Sequence, residues 1–206
     1  MFEALTGLGL STAAGLNAYI PVLVVGVLAH FTDAIRLPPE YAWLSSGWAL
    51  GVVGVLLLAE IVLDKVPVVD HVNDVIQTAV RPAAGGMVFS ATQAAAELDG
   101  SAWLAERPWL GWTLGIVAAL AVHALKVAAR PIVNATTGGL GAPVVSTAED
   151  AGSLGISLLA IFLPILILLA LAFFAVFAWW AIRKIRARRA ARRAAAAAAS
   201  PAEDRS

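Results

Sequence analysis

The chain has 206 residues, about the size of one domain, and 60% of them are apolar while only 14% are charged. Soluble domains average about 45–50% apolar and 25% charged residues, so this composition excludes an ordinary soluble domain and predicts a membrane protein. The net charge is zero, and the absence of cysteine excludes disulfides, thiolate metal sites and cysteine nucleophiles. Glu3 stands where a signal peptide would be basic, so we expect no cleaved leader.

The first apolar stretch, residues 4–31, is long enough to cross a bilayer. Its first half is rich in small and polar residues, which allow helices to approach closely in lipid. Asn17 and Pro21 lie near its middle. Two interpretations are open: one packed helix kinked at the proline, or a helix broken near Asn17 whose backbone groups line a cavity.

The middle of the chain alternates between apolar and polar segments. These are, in order, a loop at 32–46, a span at 47–64, a polar segment at 66–86, a helix of small residues at 87–97, a loop at 98–108 and a span at 109–128. Tryptophans lie near both loops, as is typical of the headgroup level of a membrane. The polar segment contains Pro67 and Pro82, so we predict a break between helices there.

The last third of the chain begins with a glycine-rich polar segment, residues 131–150, which we expect either to cross the membrane or to be re-entrant. Residues 152–182 are strongly apolar and predict one long helix kinked at Pro164. We therefore expect a single transmembrane domain over 1–185. The remaining residues, 186–206, form a basic Arg/Ala-rich tail that is predicted to be partly disordered.

An internal repeat is suggested by two matches at one constant offset. The segment GWALG at 47–51 matches GWTLG at 111–115, and PVVD at 67–70 matches PIVN at 131–134. The repeat units would cover about 1–97 and 98–182, although two Leu/Val-rich helices can also resemble each other by chance. Inverted repeats with broken polar segments are a recurrent plan of transporters, which bind their solutes at the repeat interface.

Charged residues inside the apolar segments are the candidate functional groups. Glu60 and Asp64 are one helix turn apart, and His123, Lys126 and Arg130 share one helix face. If the two units pack together, an acid of the first can pair with a base of the second. Three interpretations are open: ion pairs that hold the bundle, a polar pathway, or interfacial groups that snorkel to water.

The predicted intramembrane polar site extends along both units. It comprises Glu60, Asp64, Lys65, Asp70, Asn73, Asp74, Arg81, His123, Lys126, Arg130 and Asn134. The members between 70 and 81 recur at helical spacing together with Gln77, so a solvated interfacial helix explains them. A cation site at Asp70 and Asp74 is the alternative, but no defined metal motif matches and we assign no metal.

The acidic pair Glu149–Asp150 lies just before Gly152 and the last apolar stretch. We interpret it as capping and dipole compensation at the start of a helix. No P-loop, nucleophile elbow or zinc-protease motif occurs, so we expect neither an enzyme nor a cofactor. An intramembrane enzyme acting on lipid would need a cavity that joins Asp70, His71 and Asp74.

The sequence resembles one known family. The resemblance begins with GLGLSTAAGLNAY at 7–19, is strongest in EIVLDKVPVVDHVND at 60–74, and includes Ala148-Glu149-Asp150. It is similar over about residues 4–175 to the bacterial membrane family called domain of unknown function 4126. The family has no established activity. The resemblance therefore implies that the charged positions are shared features and assigns no catalytic role.

The basic C-terminal region predicts a C-terminus on the cytoplasmic side of the plasma membrane, because residues 183–193 alone hold half of all Lys and Arg residues. The two loops then lie outside. We thus predict an all-α, polytopic integral membrane helical bundle with about six transmembrane segments. The number falls to five if 131–150 is re-entrant.

Our leading hypothesis for function is a small-solute or ion transporter, or a channel-like protein, with a polar interior between two repeats. The alternative is a non-transporting membrane scaffold that binds lipid or protein partners. The expected partners are the bilayer, anionic lipids at the basic tail and, where small-residue faces allow it, a second copy of the chain. We expect no nucleic acid, because a position next to the membrane explains the basic charges.

Overall fold

The computed structural model describes residues 2–64, 67–98, 107–138 and 140–199, and all regular structure in this part of the chain is helical. The prediction of an all-α protein is confirmed for these residues. The α-helices are α1 (Phe2–Leu16), α2 (Tyr19–Phe31), α3 (Gly47–Leu63), α4 (Pro67–Leu98), α5 (Pro108–Thr137), α6 (Ala142–Phe162) and α7 (Ile167–Ala199). Short 3₁₀ helices also cover Pro39–Ser45 and Pro164–Leu166.

The first apolar stretch is broken near Asn17, which confirms the break in the second of the two interpretations; that its backbone groups line a cavity stays a prediction. Helix α1 ends at Leu16 and α2 begins at Tyr19. Pro21 causes the break, because its ring would clash with the carbonyl of the residue four positions earlier in a continuous helix. The Asn17 side chain compensates, since its Oδ1 accepts the N–H groups of Tyr19 at 3.0 Å and Ile20 at 3.2 Å.

The break predicted between helices at residues 66–86 is absent from the described part of this segment. Helix α4 runs without interruption from Pro67 through Pro82 to Leu98. Pro67 takes the first helical position, where its missing N–H has no intrahelical partner to lose. Pro82 is buried among other helices, an environment in which membrane helices tolerate proline.

Residues 131–150 do not form a separate segment. Pro131 lies inside α5, which continues to Thr137, and α6 begins at Ala142. Gly138 between them has a φ of 61°, the left-handed conformation that ends helices and that glycine adopts without strain. We expected residues 131–150 to form one segment that either crosses the membrane or is re-entrant. They instead contain the end of α5, a turn and the beginning of α6.

Pro164 separates two helices, where the sequence predicted a kink in one. Helix α6 ends at Phe162, and Leu163 has φ −139° and ψ 58°, outside the helical region. The residue before a proline is pushed out of the helical region by the proline ring, which explains this conformation. A 3₁₀ turn over Pro164–Leu166 then leads into α7.

Helix α1 is the central element of the first part of the chain, because it packs against α4, α5 and α6. Small residues make these contacts close. A Cβ at Gly15 would lie 2.6 Å from the carbonyl oxygen of Ala119 on α5. Helices α4 and α5 also cross tightly, since a Cβ at Gly85 would lie 2.7 Å from the carbonyl oxygen of Gly115. Small residues at helix crossings are typical of membrane bundles.

Three helical segments in the described part of the chain are long and apolar enough to cross a membrane: Trp109–Thr137, Ala142–Phe162 and Pro164–Lys184. A fourth is added if the bent pair Pro39–Ser45 and Gly47–Leu63 counts as one span. These helices are consistent with a membrane protein. The number of about six crossings, or five, stays a prediction.

The chain divides into two compact units, Met1–Ala170 and Leu171–Ser206. Within the second unit the guanidinium carbon of Arg183 lies 4.8 Å from the centre of the Trp179 ring. The ammonium nitrogen of Lys184 lies 4.5 Å from the centre of the Trp180 ring. These are cation–π contacts between neighbours one helix turn apart. The division expected at 185/186 stays a prediction.

The two segments of the proposed repeat have different surroundings. Gly115 lies at the α4–α5 crossing, whereas nothing lies within 4 Å of a Cβ at the matching Gly51. Helix α3 also ends before Pro67, whereas α5 continues past the matching Pro131. The internal repeat therefore stays a prediction from sequence.

The glycine crossing gives a first testable prediction. We expect Gly85→Ala to lower the free energy of unfolding by about 1–3 kcal/mol, because the added methyl overpacks the α4–α5 contact. Thermal unfolding in mild detergent, followed by circular dichroism, measures the effect. The matched control is Gly51→Ala, which we expect to be neutral or stabilising by roughly 0.5–1 kcal/mol, since it adds helix propensity in open space. Equal melting temperatures for the two variants would contradict the prediction.

Candidate functional site

Two carboxylates lie on the inward face at the end of α3. Large apolar side chains elsewhere on this helix, such as Val55 and Leu58, are exposed, whereas Glu60 and Asp64 are each only 2% exposed. The acids are one turn apart and therefore point to the same side of the helix. A buried carboxylate needs partners, and neighbouring helices supply them.

Arg81 on α4 pairs with both acids. Its Nη2 lies 2.8 Å from Glu60 Oε1 and 3.9 Å from Asp64 Oδ2, and its side chain is fully buried. The other terminal nitrogen, Nη1, donates to the carbonyl oxygen of Gly15 at 3.1 Å. The arginine thus joins α3, α4 and the end of α1.

Lys126 and Arg130 on α5 connect Asp64 to Glu149 on α6. Lys126 Nζ lies 3.2 Å from Asp64 Oδ2 and 2.9 Å from Glu149 Oε2. Arg130 Nη2 lies 3.3 Å from the same aspartate oxygen and 3.0 Å from the same glutamate oxygen. The sequence predicted that Glu60 or Asp64 pairs with a base of α5, and Asp64 forms this pair with both Lys126 and Arg130.

We call the six residues joined by these contacts the ionic cluster. They are Glu60, Asp64, Arg81, Lys126, Arg130 and Glu149. The cluster holds three carboxylates and three basic groups, so its formal charges balance. The six side chains are between 0% and 13% exposed, with Glu149 the most exposed and Arg130 next. The edge of the cluster nearest to the surface therefore lies between these two residues.

Neutral polar groups extend the cluster. Asn73 Nδ2 donates to Asp64 Oδ1 at 2.6 Å, and His123 Nε2 lies 3.0 Å from the hydroxyl of Thr78. Gln77, on the same helix as Asn73 and Arg81, is 2% exposed. The interpretation of residues 70–81 as a solvated helix is therefore wrong for Asn73, Gln77 and Arg81, because all three are buried. Asn73 and Arg81 are bonded to groups of α3 and α1.

The helix break at Asn17 borders the cluster. The last carbonyl groups of α1 have no intrahelical partner and carry the negative end of the helix dipole. Two cations use them: Arg81 binds the Gly15 oxygen, and Lys126 Nζ lies 3.4 Å from the Leu16 oxygen. On the other side of the break, Asn17 Nδ2 donates to Asp150 Oδ1 at 2.9 Å.

Some predicted members of the site lie outside the described side chains. Lys65 is outside the described residues, and Asp70, Asp74 and Asn134 lie in helices whose side chains at these positions are not described. The hypothesis of an enzyme depends on Asp70, His71 and Asp74, whose side chains are likewise not described. Their part in a polar site stays a prediction.

Sequence reasoning missed the role of Glu149 and Asp150. Capping is wrong for them, because α6 begins at Ala142, about two turns earlier. Glu149 instead pairs with a base of α5, and Asp150 accepts a hydrogen bond from Asn17 at the α1 break. Their presence in the segments that carry the family resemblance was the available signal.

An apolar groove of about 330 Å³ lies between α2, α3 and α6. It is lined by Ile20, Leu23, Val24, Leu57, Thr147, Asp150, Ala151 and Leu154, and by no member of the ionic cluster. In the described conformation the cluster charges are therefore paired with one another and do not line this groove. Among the described residues no group of three or more acidic, histidine or cysteine side chains could hold a metal ion.

Comparison with known proteins places the chain in a family. The model of the family named Domain of unknown function (DUF4126) matches residues 4–184, so the chain belongs to this family. This match confirms the resemblance and extends it beyond residue 175. A search among proteins of curated function and a search among solved structures found no match.

The Arg81–Glu60 pair gives a second prediction. We expect Arg81→Met to destabilise the protein by about 3–5 kcal/mol, because it leaves a buried carboxylate without its cation. The double variant Glu60→Met/Arg81→Met should recover at least half of that loss, since two apolar groups replace the pair. Unfolding of both variants in mild detergent measures the recovery. Arg36→Met, at an exposed position, is the control, and purely additive losses would contradict the pairing.

Proposed function

We propose that this protein is a small-solute or ion transporter whose working site is the ionic cluster. The observation that carries the proposal is the burial of six charged side chains from four helices beside a broken helix. Charges inside membrane segments are expensive and usually mark solute pathways, proton relays or coupling sites.

Stability alone is a weak explanation for the cluster. Replacing a buried ion pair with apolar residues of similar volume is often neutral or stabilising, because the charges no longer have to lose their hydration. The cluster is also not fully satisfied by the described residues, since Glu60 Oε2, Gln77 Oε1 and Arg81 Nε are buried without a partner among them. Each such atom costs about 1–3 kcal/mol. A functional role explains why the protein keeps these unpartnered polar groups, whereas a purely stabilising role does not.

The break between α1 and α2 also supports transport. Transporters commonly bind solutes and ions at discontinuous helices, whose free ends offer backbone groups in the membrane. Here the carbonyl groups of Gly15 and Leu16 already bind cationic side chains, and Asn17 links the break to α6. A shift of α6 would therefore move the break and the cluster together.

In this proposal the described conformation is closed. The cluster charges are paired with one another, so opening has to begin where the pairing is most exposed, between Arg130 and Glu149. Separating these residues would admit water and solute to Lys126 and Asp64. We include in the proposal about six crossings, an inverted repeat and a plasma-membrane location with a cytoplasmic C-terminus.

Transport gives the third prediction. Purified protein in liposomes should admit at least one class of small solute in a light-scattering swelling assay with carboxylates, phosphate, amino acids and sugars. We expect Asp64→Asn to reduce that flux at least tenfold, because it removes the negative charge that Arg81, Lys126 and Arg130 share. The matched control is Asp33→Asn, at an exposed loop position.

The folding control separates the two interpretations of the cluster. Asp64→Asn should retain its helical circular dichroism and elute as the wild-type protein in gel filtration. Loss of fold in parallel with flux would favour structural ion pairs. Absence of flux for every solute class with the wild-type protein would overturn the transporter proposal.

A second candidate function is that of a membrane scaffold anchored through anionic lipid. It is favoured by the contacts of Arg183 and Lys184 with Trp179 and Trp180, because tryptophan and basic residues together mark the headgroup level. Basic residues near an anionic surface contribute about 1 kcal/mol each.

The fourth prediction tests this lipid contact. The triple variant Arg183→Gln/Lys184→Gln/Arg186→Gln, extracted from vesicles of phosphatidylcholine and phosphatidylglycerol, should retain fewer phosphatidylglycerol molecules than the wild type. Native mass spectrometry counts the retained lipids, and Arg36→Gln is the control for a change of charge alone. Equal retention would contradict a lipid anchor at these residues.

A further inference from the structure

Glu149 is the least firmly held member of the ionic cluster. Lys126 and Arg130 both contact the same oxygen, Oε2, at 2.9 and 3.0 Å. Its side chain is 13% exposed, whereas those of Glu60 and Asp64 are 1% and 3% exposed. The carboxylate therefore occupies a position that can be reached from the edge of the cluster.

The other members are fixed by contacts that do not involve Glu149. Arg81 and Lys126 also donate to carbonyl groups at the end of α1, and Asp64 accepts a hydrogen bond from Asn73. If Glu149 turned away, Lys126 and Arg130 would remain in place, held by Asp64. A preformed pair of cations would then face the edge of the cluster. The exchangeable component of the cluster is thus an anion rather than a cation.

We infer that Lys126 and Arg130 form a binding site for a small carboxylate-bearing solute, and that Glu149 occupies this site in the closed conformation. The incoming carboxylate replaces the Glu149 carboxylate on Lys126 Nζ and Arg130 Nη2, and the Glu149 side chain turns to the surface. One monoanion replaces another, so the balance of three acids and three bases is kept. A phosphate dianion would upset that balance. For transport, though not for binding, this inference rests on the proposed function.

Glu149, being part of the same chain, competes with an external carboxylate for the two cations. The observed affinity for the external carboxylate is its intrinsic affinity multiplied by the fraction of time for which Glu149 leaves the site free. If Glu149 occupies the site nine-tenths of the time, removing its charge strengthens binding of an external carboxylate about tenfold. The gain should depend on Arg130, because arginine binds carboxylates through directed hydrogen bonds.

Binding of acetate to the full-length protein in detergent tests the inference by isothermal titration calorimetry. We expect Glu149→Gln to bind acetate at least about tenfold more tightly than the wild type, and Glu149→Gln/Arg130→Gln to lose the gain. Acetamide, which has the same shape without the charge, should not bind. The control Glu40→Gln, at an exposed position, should bind acetate as the wild type does.

Two results would overturn the inference: an acetate affinity of Glu149→Gln within twofold of the wild type, or tighter binding of phosphate than of acetate by that variant. If Glu149→Gln does not fold, Glu149→Asp replaces it, because the shorter side chain withdraws the carboxylate without removing its charge. A severalfold gain is then expected, and no gain overturns the inference. Acetate binding by Glu149→Gln without flux of any solute would retain this site and reject transport. Flux of neutral solutes together with no acetate binding would retain transport and reject this site.

Discussion

A charge without a partner is strongly unfavourable in the interior of a membrane protein, and this constraint determines how the helices around Asp64 are arranged. The carboxylate accepts contacts from Asn73 on α4 and from Lys126 and Arg130 on α5. Each contact is only a few ångströms long, so sliding one of these helices by a turn would leave a charge unpaired. The ionic contacts therefore favour one register of these helices.

The ionic contacts depend in turn on small residues. Gly15 allows α1 to approach α5 so closely that a Cβ there would lie 2.6 Å from the Val122 Cβ. Lys126 follows Val122 by one helix turn, and this approach brings its ammonium group to the Leu16 carbonyl. The small side chains of α1 and the charges of α5 therefore belong to one arrangement, in which close backbone contact and charge pairing require each other.

Composition and local spacing predicted the helical class, the shared face of Glu60 and Asp64, and the pairing of one of these acids, Asp64, with bases of α5. These features depend on properties of single helices or on simple charge complementarity. The break expected within residues 66–86 is absent from the described part of that segment, because tolerance of a proline such as Pro82 depends on the helices around it. The role of Glu149 was missed for a similar reason: its partners come from another helix, and no local pattern encodes how two helices meet. The sequence also left open whether the first stretch bends or breaks, because the break depends on the Asn17 side chain, which caps α2.

The distance in sequence between Asp64 and its cations has a consequence for the synthesis of the protein. Lys126 and Arg130 follow this aspartate by 62 and 66 residues. At translation rates of about 5–20 residues per second, the acidic end of α3 emerges several seconds before these partners exist. During that interval Arg81 of α4 is the cation that Glu60 and Asp64 can join, but Asp64 lacks its closer contacts with Lys126 and Arg130. Stable packing of α3 should therefore wait for α5, which makes assembly of the helices cooperative rather than sequential.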